Sequence, residues 1–339
     1  MQTFALSKEK YLPDLTAKRI FDLIRPELKL VEAEYERQAN SNIQVISYLG
    51  DYLRESGGKR VRPALLILSN NAVGGDGSAE NVVRLATVME MLHTATLVHD
   101  DIIDNASVRR SRSSVNARFG NQTAVLMGDW LYMSAYETSL RERSLEILDI
   151  LTRVTRKMTE GELIQLTVLG KLDLTEEEYF DILKRKTAYL FSACCEIGGI
   201  LGGATDEQQR SMSDYGMNLG IAFQLADDAL DLTAKENVLG KAVGADLIEG
   251  KLTLPLILLL QTEPEIAEVL SQVIHDGEYK LDSREMIIQQ LERYEILGHV
   301  RSLAYDFAEK ARKNLDVFPK TGYLSALEEI PVSVIERNR

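Results

Sequence analysis

The chain is poor in cysteine, proline and positive charge, and each shortage removes a class of protein. Its only cysteines among 339 residues are Cys194 and Cys195, which are neighbours. Adjacent positions on a helix cannot easily bridge each other, so a disulfide framework is excluded and a reducing, cytoplasmic setting is expected. There are seven prolines and one tryptophan. Strand-like alternation is scarce, and apolar residues recur with helical period, so the expected class is all-α. Long apolar runs are also missing. The best, residues 252–260 (LTLPLILLL), contains a proline and is too short to span a bilayer. The opening MQTFALSKEKYL has no apolar core of a secretory signal. Lysine and arginine number 39 against 52 aspartates and glutamates, a net charge of −13. That balance speaks against a nucleic-acid partner. It also means that an anionic ligand would need cations placed locally. No low-complexity linker or shift in composition divides the chain, so residues 1–339 are expected to form a single domain.

What is abundant is acid, concentrated in two places. Residues 93–110, HTATLVHDDIIDNASVRR, hold Asp100, Asp101 and Asp104; residues 224–231, QLADDALD, hold Asp227, Asp228 and Asp231. A step of four residues turns an α-helix about 400°, so Asp100 and Asp104 share a face, as do Asp227 and Asp231. Carboxylates so placed repel each other. A hard divalent cation removes the repulsion. Mg²⁺ takes few protein carboxylates, keeps several waters and completes its shell with phosphate oxygens. The alternative, a pair of solvated acidic faces, fits poorly, because the apolar stretches LATVMEMLHTATLV and GIAFQLA run straight into the acids. The spacing therefore predicts two acidic helices facing each other across metal ions that hold a diphosphate.

The helical pattern predicts a first helix over 8–39, bent at Pro26, and a second closing before Gly57–Gly58. It predicts capping boxes at Ser41/Gln44, Thr175/Glu178 and Thr205/Gln208. Ser78 is the expected cap of a long helix 79–104, on which Met89, His93, Thr96, Asp100 and Asp104 fall near one stripe. Helices are expected over 121–139 and 144–168, and loops over 105–120 and 234–252. Three basic groups could complete an anion site: Lys59, Arg60 and Arg62 after the paired glycines, Arg109 with Arg110, whose planar forks suit phosphate oxygens, and Lys186 beside Thr187. Taken singly, these have plain readings as surface charge, and His93 as a core histidine.

Together the segments GGKRVRP (57–63), HTATLVHDDIID (93–104), RR (109–110), KT (186–187), FQLADDALD (223–231) and EGKLTLP (249–255) resemble the trans-polyprenyl diphosphate synthases, in order from about residue 41 to 260. The resemblance implies a single-domain helical bundle around a central cavity, the isoprenoid-synthase fold, working as a homodimer. It implies Mg²⁺-dependent, head-to-tail addition of isopentenyl diphosphate to an allylic diphosphate. By that analogy Asp100, Asp104, Asp227, Asp228 and Asp231 hold about three Mg²⁺ ions with the allylic diphosphate. Lys59, Arg62, His93 and Arg110 match isopentenyl diphosphate contacts. Arg109, Lys186, Thr187, Gln224, Lys241 and Lys251 match allylic contacts. Thr187 and Gln224 can offer oxygen dipoles to a developing carbocation, which gives them and Lys186 a catalytic role.

In that family bulky residues four and five positions before the first aspartate block the product tunnel. Here those positions are Thr96 and Ala95, both small, with Leu92 one turn deeper, which predicts long products in the heptaprenyl to decaprenyl range. Met127, Leu131 and Met133 of the 121–139 helix are candidates for the tunnel floor. Release of such a product implies transient membrane contact. One departure stands out. The family usually has glycine and proline after the arginine pair, RRGxPT, whereas this chain has Arg110-Ser111-Arg112-Ser113-Ser114, which puts the geometry of that loop in question. Alternatives are a shorter-chain synthase making farnesyl or geranylgeranyl diphosphate, a class I terpene cyclase, a metal phosphohydrolase and a non-catalytic partner subunit. Asp231 and the arginine pair disfavour the cyclase. The second acidic cluster and the basic set are unexplained by a hydrolase, and the presence of both acidic clusters disfavours a partner subunit.

Overall fold

Helical period without strand alternation becomes, in a computed structural model describing residues 13–110, 112–233, 244–280 and 282–336, a succession of helices joined by short turns. The expected first helix is two: α1 (Pro13–Leu23) and α2 (Arg25–Ala39). They part at Ile24, whose φ of −118° and ψ of 20° leave the helical region. Pro26 sits in the first turn of α2, where its missing N–H costs nothing. Helix α3 (Gln44–Glu55) starts without the expected capping box, because the Ser41 hydroxyl accepts from Ile43 N at 3.1 Å instead. Helix α4 (Val61–Val73) is almost wholly buried. It is followed by α5 (Glu80–Ile103), capped at Ala79 rather than at Ser78, whose hydroxyl bonds Asp76 Oδ1 at 2.7 Å. The arginine loop is more ordered than its composition suggests. It folds into a two-residue antiparallel ladder, β1 (Val108–Arg109) against β2 (Arg112–Ser113), and the short helix α6 (Val115–Phe119).

Helices α7 (Asn121–Ser139) and α8 (Leu145–Val168) match their expected spans. Helix α9 (Glu176–Leu183) opens on the reciprocal Thr175/Glu178 box. It runs through a π-helical segment, Lys184–Ala188, into α10 (Tyr189–Leu201). Helix α11 (Asp206–Thr233) opens on reciprocal Thr205–Gln208 bonds of 3.0 and 3.3 Å. The chain ends in α12 (Ala245–Ile248), α13 (Leu254–Thr262), α14 (Ala267–Asp276), α15 (Ser283–Arg293), α16 (Ile296–Asn314) and α17 (Gly322–Ile335). No described helix is long and apolar enough to cross a membrane.

Two apolar clusters form the core. One is built largely from α4, α5, α7, α8, α10 and α17, and the other from α9, α11, α13, α14, α15 and α16. Helix α11 is the wedge between them. Its Met212, Tyr215 and Leu219 belong to the first cluster, and its Ile221, Ala222 and Leu225 to the second. Two glycines one turn apart bring α11 close to its neighbour. A Cβ on Gly216 would lie 2.5 Å from the Phe191 carbonyl oxygen, and one on Gly220 would lie 2.6 Å from Ala188 Cα. Both obstacles are backbone and cannot swing aside. Gly220→Val is therefore expected to destabilise the fold by about 1–3 kcal/mol through overpacking, measured by urea unfolding. A loss of a few tenths would show that α11 can move away freely.

Candidate active site

The close approach of α11 to the π-helical segment places Gln224 beside Thr187, whose hydroxyl donates to Gln224 Oε1 at 2.8 Å. A π-bulge inside an α-helix is uncommon and concentrates at functional positions, and this one carries Lys186 and Thr187. These three residues form a wall common to two cavities. The larger, about 830 Å³, runs between α5, α7, α8, α10 and α11 and is lined by Arg62, His93, Thr96 and Asp100 among others. The smaller, about 220 Å³, is lined by Asp227, Asp228, Asp246 and Lys251. Asp100 of the first acidic cluster lines the larger cavity and Asp227 and Asp228 of the second line the smaller, and both cavities share Lys186, Thr187 and Gln224.

Asp100 shows the electrostatic problem the site poses. Burial, then Glu162 and Asp104, push its carboxyl up to about 7, while Lys186 and Arg109 oppose the rise. Lys186 itself pairs with Glu162 at 2.9 Å and donates to Gln165. Lys251 reaches across to the first cluster, 2.8 Å from Asp104 and 2.7 Å from Glu249. Burial works against its ammonium, but Asp104 and Glu249 outweigh that cost and hold its pKa above the ordinary lysine value. Asp228 is buried, with Tyr179 donating to Oδ2 at 2.5 Å and Gln224 to Oδ1 at 2.8 Å. Burial and Asp246 push its carboxyl up to about 8 against those two bonds. Asp231 lies at the far end of the cluster, where Asp246 N approaches Oδ2 at 3.4 Å.

No three acidic, imidazole or thiol side chains among the described residues converge into a ready-made metal site. A hard cation takes one or two carboxylates and the rest of its shell from water and phosphate. The donor set is all carboxylate oxygen, and the crowded Asp100 is stabilised by any positive charge placed beside it.

Four arginines gather around His93. Arg62 is over the Phe191 ring at 5.1 Å, and its buried Nε has no hydrogen-bond partner among the described residues. An unpaired buried donor is costly, and this one belongs to a side chain lining the larger cavity. His93 lies beside it and is held neutral, its pKa well below the usual value because of burial first, then Arg62, Arg110, Arg109 and Arg60. Arg110, in the left-handed region at φ 51°, donates to the Gly57 carbonyl. Gly58 leaves room for two guanidinium groups, since a Cβ there would meet Arg110 at 2.8 Å and Arg60 at 2.9 Å. Arg60 is committed to Glu32 at 2.5 Å and Glu90 at 2.8 Å. Lys59 is exposed on the same turn. Arg109 is clamped by Asp101 at 2.5 Å, so the middle acid of the first cluster orients an arginine. Lys241, expected among the allylic contacts, lies outside the described residues, as does Ser111.

The tunnel candidates divide. Thr96 lines the larger cavity, whereas Leu92 and Ala95 are fully buried in the core and lie off it. On α7, Met133 lines the cavity and Met127 and Leu131 pack into the core on the other face. The α7 wall is instead Asp129, Tyr132, Met133 and Tyr136, a helical i, i+3, i+4, i+7 stripe. The stripe was open to discovery from period alone, but the choice of face was not.

A family model described as polyprenyl synthetase matches residues 43–291. Octaprenyl diphosphate synthase of Escherichia coli is 38% identical over 96% of this chain and 100% of its own length. A polyprenyl synthase structure from Caulobacter crescentus, complexed with calcium and isoprenyl diphosphate, superposes with a TM-score of 0.90 at 34% identity, over 95% of this chain and 98% of that one. A decaprenyl diphosphate synthase structure from Rhodobacter capsulatus gives 0.88 at 33% identity, over 95% and 99%. Geranylgeranyl diphosphate synthases also match.

Proposed function

The chain belongs to the polyprenyl synthetase family, and from that premise we propose how its site works. The protein is a trans-prenyltransferase that adds isopentenyl diphosphate to an allylic diphosphate and makes a long-chain polyprenyl diphosphate. The observation that carries the site assignment is the shared wall: Lys186, Thr187 and Gln224 border both the cavity that Asp100 lines and the one that Asp227 lines.

The allylic diphosphate lies along that wall. Divalent cations, Mg²⁺ in this reading and about three in number, would be held by Asp100, Asp104 and Asp227 and would neutralise the leaving diphosphate. Lys186, Lys251 and Arg109 add positive charge to the same group. Isopentenyl diphosphate lies against Arg62, Arg110, Lys59 and the neutral His93. The C–O bond of the allylic substrate breaks heterolytically, the isopentenyl double bond attacks the resulting carbon, and a proton leaves to the released diphosphate. The protein contributes proximity, since both substrates are held side by side. It also contributes oxygen dipoles from Thr187 and Gln224 aimed where positive charge develops. The growing chain passes Thr96 into the larger cavity and along Tyr132 and Tyr136.

The outer face of α7 supports a homodimer. Val125 and Leu126 are 41% and 68% exposed, a patch that a second copy would cover. Cytoplasmic location with transient membrane contact suits a substrate that is ionic and a product that is mostly hydrocarbon.

Incubation with Mg²⁺, farnesyl diphosphate and labelled isopentenyl diphosphate, followed by sizing of the extracted prenols, tests this reading. Heptaprenyl to decaprenyl alcohols are expected after dephosphorylation. Geranylgeranyl products would shorten the assignment, cyclic hydrocarbon would replace it with a cyclase, and absence of any condensation would overturn it.

A further inference from the structure

Tyr179 belongs to none of the motifs above, yet it ends a line of hydrogen bonds that leads to the reaction site. It is 6% exposed, and its hydroxyl donates to Asp228 Oδ2 at 2.5 Å. Asp228 Oδ1 accepts from Gln224 Nε2 at 2.8 Å, and Gln224 Oε1 accepts from Thr187 Oγ1 at 2.8 Å. Four side chains on three helical elements make one directed line.

The direction is set at one end. With the Tyr179 hydroxyl on Oδ2, Asp228 Oδ1 is left as the acceptor, and Gln224 turns its amide nitrogen to it. The amide oxygen is then left facing Thr187, and the network fixes which way the amide points. Thr187 has one hydroxyl proton and gives it to that oxygen. What its own oxygen retains is acceptor capacity alone, at the wall of both cavities. Reversing the amide would reverse this. Thr187 would then accept from Gln224, and its proton would be free to point at the bound substrate.

The backbone is built to make this line possible. Tyr179 and Thr187 are eight residues apart. In an unbroken α-helix that step turns about 800°, which leaves the two side chains about 80° apart. The π-helical turn Lys184–Ala188 takes up one extra residue, so a step of eight does the work of a step of seven. Both side chains can then face α11.

We propose that Tyr179 is a positioning residue for prenyl transfer, acting through Asp228 and Gln224 to keep the Thr187 hydroxyl proton turned away from the allylic group as positive charge develops there. A proton aimed at that charge would raise the barrier, and an oxygen aimed at it lowers the barrier. With a donor on each of its oxygens, Asp228 acts as the anchor of this line and not as a metal ligand. The inference rests on the prenyltransferase reading of the site.

Tyr179→Phe removes only the hydroxyl and keeps the ring in its packing. The expected result is a fall in kcat of about tenfold, with KM for both diphosphates and the Mg²⁺ half-saturation unchanged within about twofold, and with an unaltered circular dichroism spectrum. Asp228→Asn, which keeps the shape but lets either polar atom face Gln224, is expected to lower kcat in the same way without raising the Mg²⁺ requirement. Because residues acting as one unit are not additive, Tyr179→Phe combined with Gln224→Leu should be no slower than Gln224→Leu alone. Unchanged kcat in Tyr179→Phe, additive losses in the double variant, or a raised Mg²⁺ requirement in Asp228→Asn would each overturn the inference. Should Tyr179→Phe fail to fold, Asp228→Asn decides on the same readouts. Wild-type protein that shows no condensation at all would instead defeat the underlying reading.

Discussion

Replacing Asp100 or Asp227 by alanine is expected to lower the condensation rate on the order of 10³-fold each, the scale reached when a charge-stabilising group is taken from a transition state. Neither change should weaken the fold. Asp100 is opposed by Glu162 and Asp104, so its removal relieves repulsion. Asp227 stands on the cavity side of α11, outside the apolar clusters that join the helices. Steady-state rates at saturating substrate and a range of Mg²⁺ concentrations, with thermal unfolding alongside, make the comparison. A loss below about tenfold in either variant would remove that carboxylate from the cation-binding set. A parallel fall in unfolding midpoint would mean that the carboxylate serves structure.

Thr96→Phe and Ala95→Phe are expected to part company, although the two positions are neighbours and both precede the first acidic cluster. Thr96 lines the larger cavity, so a phenyl ring there fills the path of the growing chain. The product should shorten by several isoprene units, with the first additions continuing at near their normal rate. Ala95 is fully buried in the core. A ring at that position has no free space to enter and should cost about 1–3 kcal/mol or more in overpacking. Product sizing together with urea unfolding separates the two outcomes. If Ala95→Phe folds normally and shortens the product, the tunnel bends behind α5. If Thr96→Phe leaves product length unchanged, the larger cavity does not hold the chain.

The difference between Thr96 and Ala95 shows where sequence patterns stop. A period of 3.6 residues places two side chains on different faces but does not say which face meets empty space. Helix spans, both reciprocal caps at Thr175 and Thr205, and the two acidic clusters were legible because they depend on contacts within a few residues. Ser41 and Ser78 were legible only as candidates. Each has a nearer partner, Ile43 N and Asp76, that local geometry prefers. Asp101 and Asp228 look like the other acids in composition and spacing, yet each is used inward, on Arg109 and on Tyr179 with Gln224. Those partners come from loops and helices distant in the chain, and no local rule predicts them. The arginine loop has no glycine or proline between Ala106 and Ser114 and still closes as a small ladder. There the Ser114 hydroxyl bonds the Ala106 carbonyl at 2.6 Å, doing what a rigid turn residue would otherwise do.

The underwound stretch at Lys184–Ala188 also limits how this gene can change in length. Losing one residue there would restore an ordinary helix in which Tyr179 and Thr187, then seven apart, still share a face, whereas gaining one would turn them about 100° out of register. A single-residue deletion can therefore be absorbed in this turn, but a further insertion cannot. Chimaeras with related proteins should therefore exchange residues 175–201 as one block or leave them whole.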